Sequence, residues 1–291
     1  MIGCFDSGHG GLTILQALRR RLPAQRFIYL GDHANAPYGD RPSAEVVDLT
    51  RAAVDWLFRQ DAMLVVLACN TATAVALRHL QQAWLPASGW AARGRNLLGI
   101  IAPTVEAATL TPWGVTTPTG PAAGRTGIVA IFATRRTVRT NVYGEEILKR
   151  CPRMQVVQQP CPGLVDAIEQ GAPAERIDRL VGHHVSALLD RLDGALPAHA
   201  ILGCTHYPLV EDAFRRHLPP GIGLLSQPRI VAGSLADYLA RHPGYGTAVP
   251  GDSAIGEAAS ALHTTGACDR VAATLPALWP GMAGFRSASL A

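Results

Sequence analysis

The sequence lacks a long hydrophobic run, a strong excess of either charge and a paired pattern of cysteines. The longest apolar stretch, residues 97–115, is broken by Pro103, Glu106 and Pro112. A helix needs about 18 apolar residues to cross a bilayer, so we expect no membrane span. The first six residues have no basic segment and are typical of a buried strand, so we also expect no signal peptide.

The charged residues give no indication of a nucleic-acid or membrane partner. The 291-residue chain has 26 basic and 22 acidic side chains, and its net charge of +4 is scattered. Nucleic acids and acidic membranes attract clustered basic residues, so we expect contact with neither. Lys149 is the only lysine, which leaves one candidate for any chemistry that needs a lysine amine.

The six cysteines indicate free thiols. They lack the dense spacing of a disulfide-stapled secreted protein, and they lie at residues 4, 69, 151, 161, 204 and 268. We therefore expect a reducing, cytoplasmic location.

Short apolar runs alternate with helical patterns, and the second half of the chain repeats the order of the first. Runs that predict buried strands lie at residues 2–5, 27–30, 63–68 and 97–101, and again at 128–132, 155–157, 200–203 and 224–225. Helical patterns fill the first three gaps, at residues 12–22, 44–59 and 72–84. The alternation predicts an α/β fold with mostly parallel sheets flanked by helices. One βαβ arrangement used twice is favoured over a chance repeat, and the length suggests about two domains.

The glycine-rich loop after the first strand is the first candidate site. In Asp6-Ser7-Gly8-His9-Gly10-Gly11, the glycines let backbone N–H groups approach an anion at the start of a helix. The loop lacks the lysine and the spacing of nucleotide-binding motifs, so a carboxylate is favoured over a phosphate. The alternative is that Asp6 and Ser7 only cap the helix. The loop Asn35–Gly39, which follows the second strand, is likewise consistent with a simple turn.

Two cysteines follow corresponding strands of the two halves. Cys69 and Cys204 each lie between a strand and a predicted helix start, beside hydroxyl and amide side chains. A helix N-terminus lowers a thiol pKa from about 8.5 towards neutrality, which makes the thiol a usable base. A buried structural role is the alternative for each cysteine alone, but the matched positions favour function.

Two further interpretations concern the neighbours of Cys204. Cys204 and His206 carry side chains that can bind a metal, but the chain has no C-x-x-C or H-E-x-x-H motif, so we expect no metal. Glu169 follows the second strand of the second half, and it either poises Cys204 or is a solvated helix carboxylate.

Two thiols that face each other can invert a stereocentre. One removes an α-proton and the other delivers a proton to the opposite face, while N–H donors hold the carboxylate of the intermediate. Pyridoxal phosphate on a lysine is the usual means of acidifying an amino-acid α-proton, but Lys149 follows no strand and is a poor candidate. We therefore expect a reaction without a cofactor.

Four motifs resemble the signatures of the glutamate racemases, which belong to the aspartate/glutamate racemase superfamily. They are Phe5-Asp6-Ser7-Gly8-x-Gly10-Gly11-Leu12, Ala36–Gly39, Ala68–Ala72 and Leu202–Leu209. The resemblance extends from Ile2 to Gly266 and implies two pseudo-symmetric α/β domains with the active site in the cleft between them. These domains are residues 1–97 with 212–291, and residues 98–211. The implied activity is cofactor-independent racemisation of L-glutamate to D-glutamate for peptidoglycan, by a homodimer.

The resemblance also implies roles for individual residues. Cys69 deprotonates D-glutamate with help from Asp6, and Cys204 deprotonates L-glutamate with help from His206 and Glu169. The matching substrate-binding positions are Asp6, Ser7, Pro37, Tyr38, Gly39, Cys69, Asn70, Thr71, Thr134, Thr137, Cys204, Thr205 and His206.

Two residues beside the predicted cleft depart from the family pattern. His9 stands in place of a small apolar residue, and His33 stands in place of threonine or serine. Neither change removes a catalytic group, and both are placed to alter the protonation balance of the site. The open alternatives are a relative that acts on aspartate or another small acid, and a racemase-like regulatory binding protein.

Overall fold

The computed structural model describes residues 1–115, 120–246, 260–274 and 284–290, which form two sheets with helices between the strands. The elements of the first half are β1 (Ile2–Asp6), α1 (Leu12–Arg21), β2 (Phe27–Gly31), α2 (Ser43–Arg59), β3 (Leu64–Leu67), α3 (Asn70–His79), α4 (Leu85–Ala87), β4 (Asn96–Gly99) and α5 (Ile101–Thr109). A π-helical turn at Leu80–Trp84 joins α3 to α4. The predicted strands and helices of this half are confirmed, with ends that move by a few residues.

The second half begins with a similar series. Its elements are α6 (Pro121–Gly124), β5 (Gly127–Ala133), α7 (Arg135–Thr140), α8 (Val142–Arg150), β6 (Met154–Pro160), α9 (Leu164–Glu169), α10 (Ala174–Leu189), β7 (His199–Gly203), α11 (Glu211–His217), β8 (Gly223–Leu225), α12 (Gln227–Arg241), β9 (Ser260–Thr264), α13 (Cys268–Ala273) and β10 (Arg286–Ser287).

Four adjacent strands of the first sheet and the four strands of the second have the same order, which confirms the predicted repeat. The first sheet has the order β10-β9-β2-β1-β3-β4, and the second has the order β6-β5-β7-β8. The strands β5 to β8 therefore correspond to β1 to β4 in both chain order and sheet order. Every strand pair among the described residues is parallel, as in Ile2↔Phe27 and Ile128↔Gln155.

Helices cover both faces of the first sheet. Cys4 packs in a cluster with side chains of α1 and α12, whereas its neighbour Phe5 packs in a cluster with side chains of α2 and α3. Successive side chains of a strand point to opposite faces, so a run of apolar residues supplies both layers of the core. This explains why these strands are continuous apolar runs and do not alternate with polar residues.

The sheet pairing differs from the predicted domain boundaries at two places. The boundary after residue 97 cuts β4, although Leu98 and Gly99 pair with β3 in the first sheet. The boundary at residue 211 assigns β8 to the first domain, but Leu224 of β8 pairs with Ala200 of β7 in the second sheet. The chain returns to the first sheet only with α12, which packs against α1. The repeat makes the run at residues 224–225 the counterpart of the fourth strand of the first half, so the repeat places β8 correctly and the boundary implied by the resemblance does not.

The parallel strands bring the candidate loops to matching positions. The loops that carry Asp6, Cys69 and Cys204 follow the carboxyl ends of β1, β3 and β7. In open α/β sheets this edge is where ligands bind. All six cysteines are free. In the part of the chain that the structure describes, no helix combines the length and the apolar character needed to cross a membrane.

Candidate active site

A cavity of about 60 Å³ lies where the loops of the two halves meet. It is small beside the pockets of roughly 300–1,000 Å³ that hold drug-sized ligands, and so favours an amino-acid-sized ligand. The sequence-predicted residues that line it are Ser7, Pro37, Tyr38, Gly39, Cys69, Asn70, Thr71, Thr134, Cys204, Thr205 and His206. Both cysteines therefore face one cavity.

Three predicted residues do not line the cavity but contact residues that do. Asp6 accepts a hydrogen bond from Thr205, Glu169 contacts His206, and Thr137 contacts Thr71. Each contact joins two halves of the chain or two adjacent loops. These residues orient the cavity wall and do not form its surface.

Cys69 lies at the start of α3, with its sulfur among hydrogen-bond donors. The backbone N–H of Ala72 donates to Sγ at 3.4 Å, and the hydroxyl of Ser7 lies 3.6 Å from Sγ. Burial nevertheless raises the pKa of the Cys69 thiol to about 12, and the charge of Asp6 adds to this rise. The predicted lowering of the pKa is therefore wrong for Cys69, because burial disfavours the thiolate more than the helix start favours it.

Cys204 contacts a histidine, which in turn contacts a carboxylate. Its Sγ lies 3.8 Å from Nδ1 of His206, and Nε2 of His206 lies 2.8 Å from Oε1 of Glu169. Burial opposes protonation of His206, but its contacts with Cys204 and Glu169 outweigh burial and raise the pKa well above its usual value. Glu169 thus contacts a neighbour of Cys204, as the first of its two interpretations requires, and its role there stays a prediction.

Asp6 is fully buried and links the first loop to the loop of Cys204. Its Oδ1 accepts a hydrogen bond from the backbone of Gly8 at 2.8 Å, and its Oδ2 accepts one from Thr205 at 3.1 Å. Burial raises the pKa of Asp6, and the positive charge of His206 opposes this rise. Asp6 thus influences both cysteine sides of the cavity.

A triad of threonine hydroxyls joins the Cys69 loop to the second half. Thr71 Oγ1 lies 3.0 Å from Thr134 Oγ1 and 3.3 Å from Thr137 Oγ1. Thr134 also caps α7 by accepting a hydrogen bond from the backbone of Thr137. The predicted binding residues Thr71 and Thr134 are therefore held in fixed positions across the cavity.

Sequence reasoning missed the buried partners that orient Asn70 and Tyr38. The side-chain amide of Asn70 donates a hydrogen bond to Gln227 at 2.7 Å, and its oxygen accepts one from the hydroxyl of Tyr143 at 2.8 Å. The hydroxyl of Tyr38 donates to Asp32 at 2.6 Å. Gln227 lies 157 positions from Asn70, and no local pattern indicates such a contact.

The sequence did contain a signal for one further set of lining residues. The missed residues are Asp40, Arg135, Cys161, Pro162, Gly163, Val165 and Asp166. Several of them follow β6, which corresponds to β2, and the loop after β2 was already a candidate. The repeat therefore indicates the five residues that follow β6.

The described residues contain no group of three or more His, Cys, Asp or Glu side chains arranged to hold a metal ion. Cys204 instead contacts His206, and His206 contacts Glu169.

The ion pair of Glu169 and His206 predicts how stability depends on pH. Burial opposes ionisation of Glu169, but hydrogen bonds from His206 and His9 lower its pKa below the usual range. The stabilising contribution of ionised Glu169 is thus fully present above its pKa in the unfolded chain, about 4.3. The contribution of protonated His206 is fully present below its pKa in the unfolded chain, about 6.5. Glu169→Gln should lower the free energy of unfolding by about 1–3 kcal/mol between these pH values. The loss should shrink as the pH falls through the folded pKa of Glu169 or rises through that of His206.

Thermal melts of the wild-type and variant proteins across pH test this expectation. Asp178→Asn is the matched control, because Asp178 also contacts a histidine, His217, at 2.9 Å but at the surface. Surface pairs contribute little, so this control should melt close to the wild type. A pH-independent difference for Glu169→Gln would contradict the prediction.

Comparison with known proteins agrees with the geometry. The sequence model of the Asp/Glu/Hydantoin racemase family matches residues 12–235. Glutamate racemase of Phenylobacterium zucineum is 45% identical over 291 residues, which cover 99% of each chain. Glutamate racemase of Caulobacter sp. strain K31 is 50% identical over 244 residues, which cover 83% of this chain and 86% of that one.

A solved structure shows the same fold. Glutamate racemase from Thermus thermophilus, in complex with β-chloro-D-alanine, superposes with a TM-score of 0.75 at 29% identity, covering 99% of this chain and 96% of that one. The resemblance of the four motifs is therefore confirmed. The chain belongs to the Asp/Glu/hydantoin racemase family, and the two curated relatives compared above are glutamate racemases.

Proposed function

We propose that the protein racemises glutamate by a two-base proton transfer between Cys204 and Cys69, without pyridoxal phosphate. The observation that carries this proposal is that both thiols, from corresponding strand ends of the repeat, line one small cavity. The relatives named glutamate racemase, at 45–50% identity, support glutamate as the substrate.

In the direction from L- to D-glutamate, Cys204 acts as the base. Its thiolate, paired with the His206 imidazolium, takes the α-proton and becomes a thiol, and the electron pair remains on the substrate carbon. The Cys69 thiol then donates its proton to the opposite face and becomes a thiolate. In the reverse direction Cys69 is the base and Cys204 is the acid.

The raised pKa of Cys69 suits this sequence of steps. A thiol with a pKa of about 12 holds its proton at neutral pH and can deliver it to the carbanion. The substrate ammonium would counter the burial penalty of the thiolate that forms. The negative charge of Asp6 contributes to the raised pKa of Cys69, so Asp6 helps to keep the proton on this thiol.

The loops hold the substrate by polar groups. N–H groups at the start of α3, together with Ser7, Asn70 and Thr71, are positioned to bind a carboxylate, which gains negative charge as the α-proton leaves. Thr134 and Thr205, which belong to the second half, line the cavity across from these groups. A fixed network is favourable here because it needs no rearrangement during the reaction.

We also propose a cellular setting from the family resemblance. The product D-glutamate is supplied to peptidoglycan synthesis in the cytoplasm, and the protein acts as a homodimer. Light scattering during gel filtration tests the dimer, with a mass of twice 30.8 kDa expected.

Circular dichroism of each amino acid tests the activity. After extensive dialysis against a chelator, the protein should remove the optical activity of L-glutamate and of D-glutamate. It should leave L-aspartate essentially unchanged. Faster turnover of aspartate than of glutamate would favour the alternative substrate. No turnover of either acid, together with tight binding of another protein, would favour the regulatory alternative.

The first loop predicts one further effect on turnover. A Cβ atom at Gly10 would lie 2.6 Å from Nδ1 of His206 and would also contact Thr205. Gly10→Ala should therefore displace these residues and lower kcat by about 100-fold, as a small misplacement can do. Gly233→Ala is the control, since a Cβ there meets no atom within 4 Å. Wild-type turnover by Gly10→Ala would show that the loops need not approach so closely.

A further inference from the structure

Glu169 lies between two imidazole rings, only one of which belongs to the reaction described above. Nε2 of His206 lies 2.8 Å from Oε1 of Glu169, and Nδ1 of His9 lies 3.8 Å from the same oxygen. The side chain of His9 is 7% exposed, whereas that of Glu169 is 28% exposed. Glu169 thus has an open side towards solvent and a closed side towards His9.

The orientation of His9 is fixed by its other nitrogen. Nε2 lies 3.0 Å from the carbonyl oxygen of Val271 and 2.8 Å from the hydroxyl of Thr274. A carbonyl only accepts hydrogen bonds, so Nε2 carries a proton and donates it, and Nδ1 attracts the Glu169 carboxylate when the ring is the doubly protonated imidazolium. This arrangement turns Nδ1 towards Glu169 and ties the ring to α13 and the residue that follows it.

A second histidine supports the His9 ring. The ring of His33 meets that of His9 edge to face, with 4.2 Å between centroids, and Phe285 packs against both rings. Burial, followed by the charge of His9, lowers the pKa of His33 to about 3. His33 is therefore neutral at physiological pH and contributes packing to this support.

The backbone leaves little room on the same side of Glu169. A Cβ atom built on Gly8 would lie 2.9 Å from Oε1 of Glu169. The carboxylate oxygen thus rests between the Gly8 backbone, the His9 ring and His206. Without the His9 ring, Oε1 would have space to turn away from Nε2 of His206.

We propose that His9 is a positioning residue for the Cys204 half of the reaction, which it serves by holding Glu169 against His206. This inference rests on the proposed function, because it concerns the base that acts on L-glutamate. His9 touches no reacting atom. Its effect passes from Nδ1 to Glu169, then to His206 and Cys204.

Three substitutions at residue 9 separate positioning of Glu169 from attachment to α13. An asparagine amide nitrogen occupies roughly the place of Nδ1, and a glutamine amide nitrogen occupies roughly that of Nε2. His9→Asn should therefore keep the contact with Glu169, and His9→Gln should keep only the contact with Val271. His9→Val keeps neither. We expect His9→Val and His9→Gln to lower kcat/KM about 10-fold, the low end of the effect seen when residues that orient metal ligands are replaced. We expect His9→Asn to stay within about threefold of the wild type.

Isotope effects identify which half of the reaction slows. With α-deuterated L-glutamate the primary isotope effect on kcat/KM reports proton removal by Cys204, and with α-deuterated D-glutamate it reports removal by Cys69. In His9→Val and His9→Gln the first should rise and the second should fall, whereas a merely destabilised protein would change neither. His263→Asn is the control, because His263 packs on Trp56 and not on Glu169.

The outcomes separate cleanly. Retention of wild-type kinetics by His9→Val overturns the proposal, as does rescue by glutamine instead of asparagine, or a loss of activity with both isotope effects unchanged. Failure of the wild-type protein to exchange the α-proton of either enantiomer would instead remove the proposed function, whatever the variants do.

Discussion

Replacing either Cys69 or Cys204 with serine should lower kcat for glutamate racemisation by about 10²–10⁴-fold, the usual contribution of a positioned general acid or base. Serine keeps the shape of the side chain, but its hydroxyl is a far weaker acid than a thiol and is not ionised at neutral pH. The loss should occur in both directions, because each turnover uses one thiol as the base and the other as the acid. Progress curves with each enantiomer measure it.

The control for these variants is Cys151→Ser. Cys151 is buried in the second half and does not belong to the cavity, so its replacement should leave kcat near the wild-type value. Melting curves confirm that all three variants fold. Full turnover by Cys69→Ser or Cys204→Ser would exclude the corresponding thiol from the reaction.

Replacing His206 with asparagine should lower kcat/KM by at least about 100-fold. Its raised pKa keeps the imidazolium charged beside Cys204, and asparagine supplies a hydrogen bond without the charge. Alkylation of Cys204 by iodoacetamide at neutral pH should slow as well, because the thiolate loses its cationic partner. His217→Asn is the control, since His217 contacts Asp178 outside the cavity. Unchanged alkylation in His206→Asn would contradict the assigned pairing.

The sequence predicts the parallel strands and the placement of both thiols for a simple physical reason. Buried parallel strands are continuous apolar runs, and residues that end such runs lie together at one edge of a sheet. Cys69 and Cys204 end corresponding runs, so the repeat alone places them at matching positions. The same argument covers the loops that begin at Asp6 and Asn35.

The rest of the site depends on contacts between distant segments. The pKa of Cys69 follows from its burial, and no local pattern reports how deeply a residue is covered. The contact of Gln227 with Asn70 arises only when α12 returns to the first sheet. The position of His9 beside Glu169 likewise appears only when the two halves meet.

Proton transfer across the cavity is measured most directly by the fate of the α-hydrogen in deuterium oxide. L-glutamate is incubated with the protein for a small fraction of the approach to equilibrium, and both enantiomers are recovered and analysed by mass spectrometry. If Cys204 removes the proton and Cys69 delivers another from the opposite side, the new D-glutamate should carry deuterium while the remaining L-glutamate keeps protium. D-glutamate that retains the original protium would mean that one group serves both faces, and the two-thiol account would be wrong.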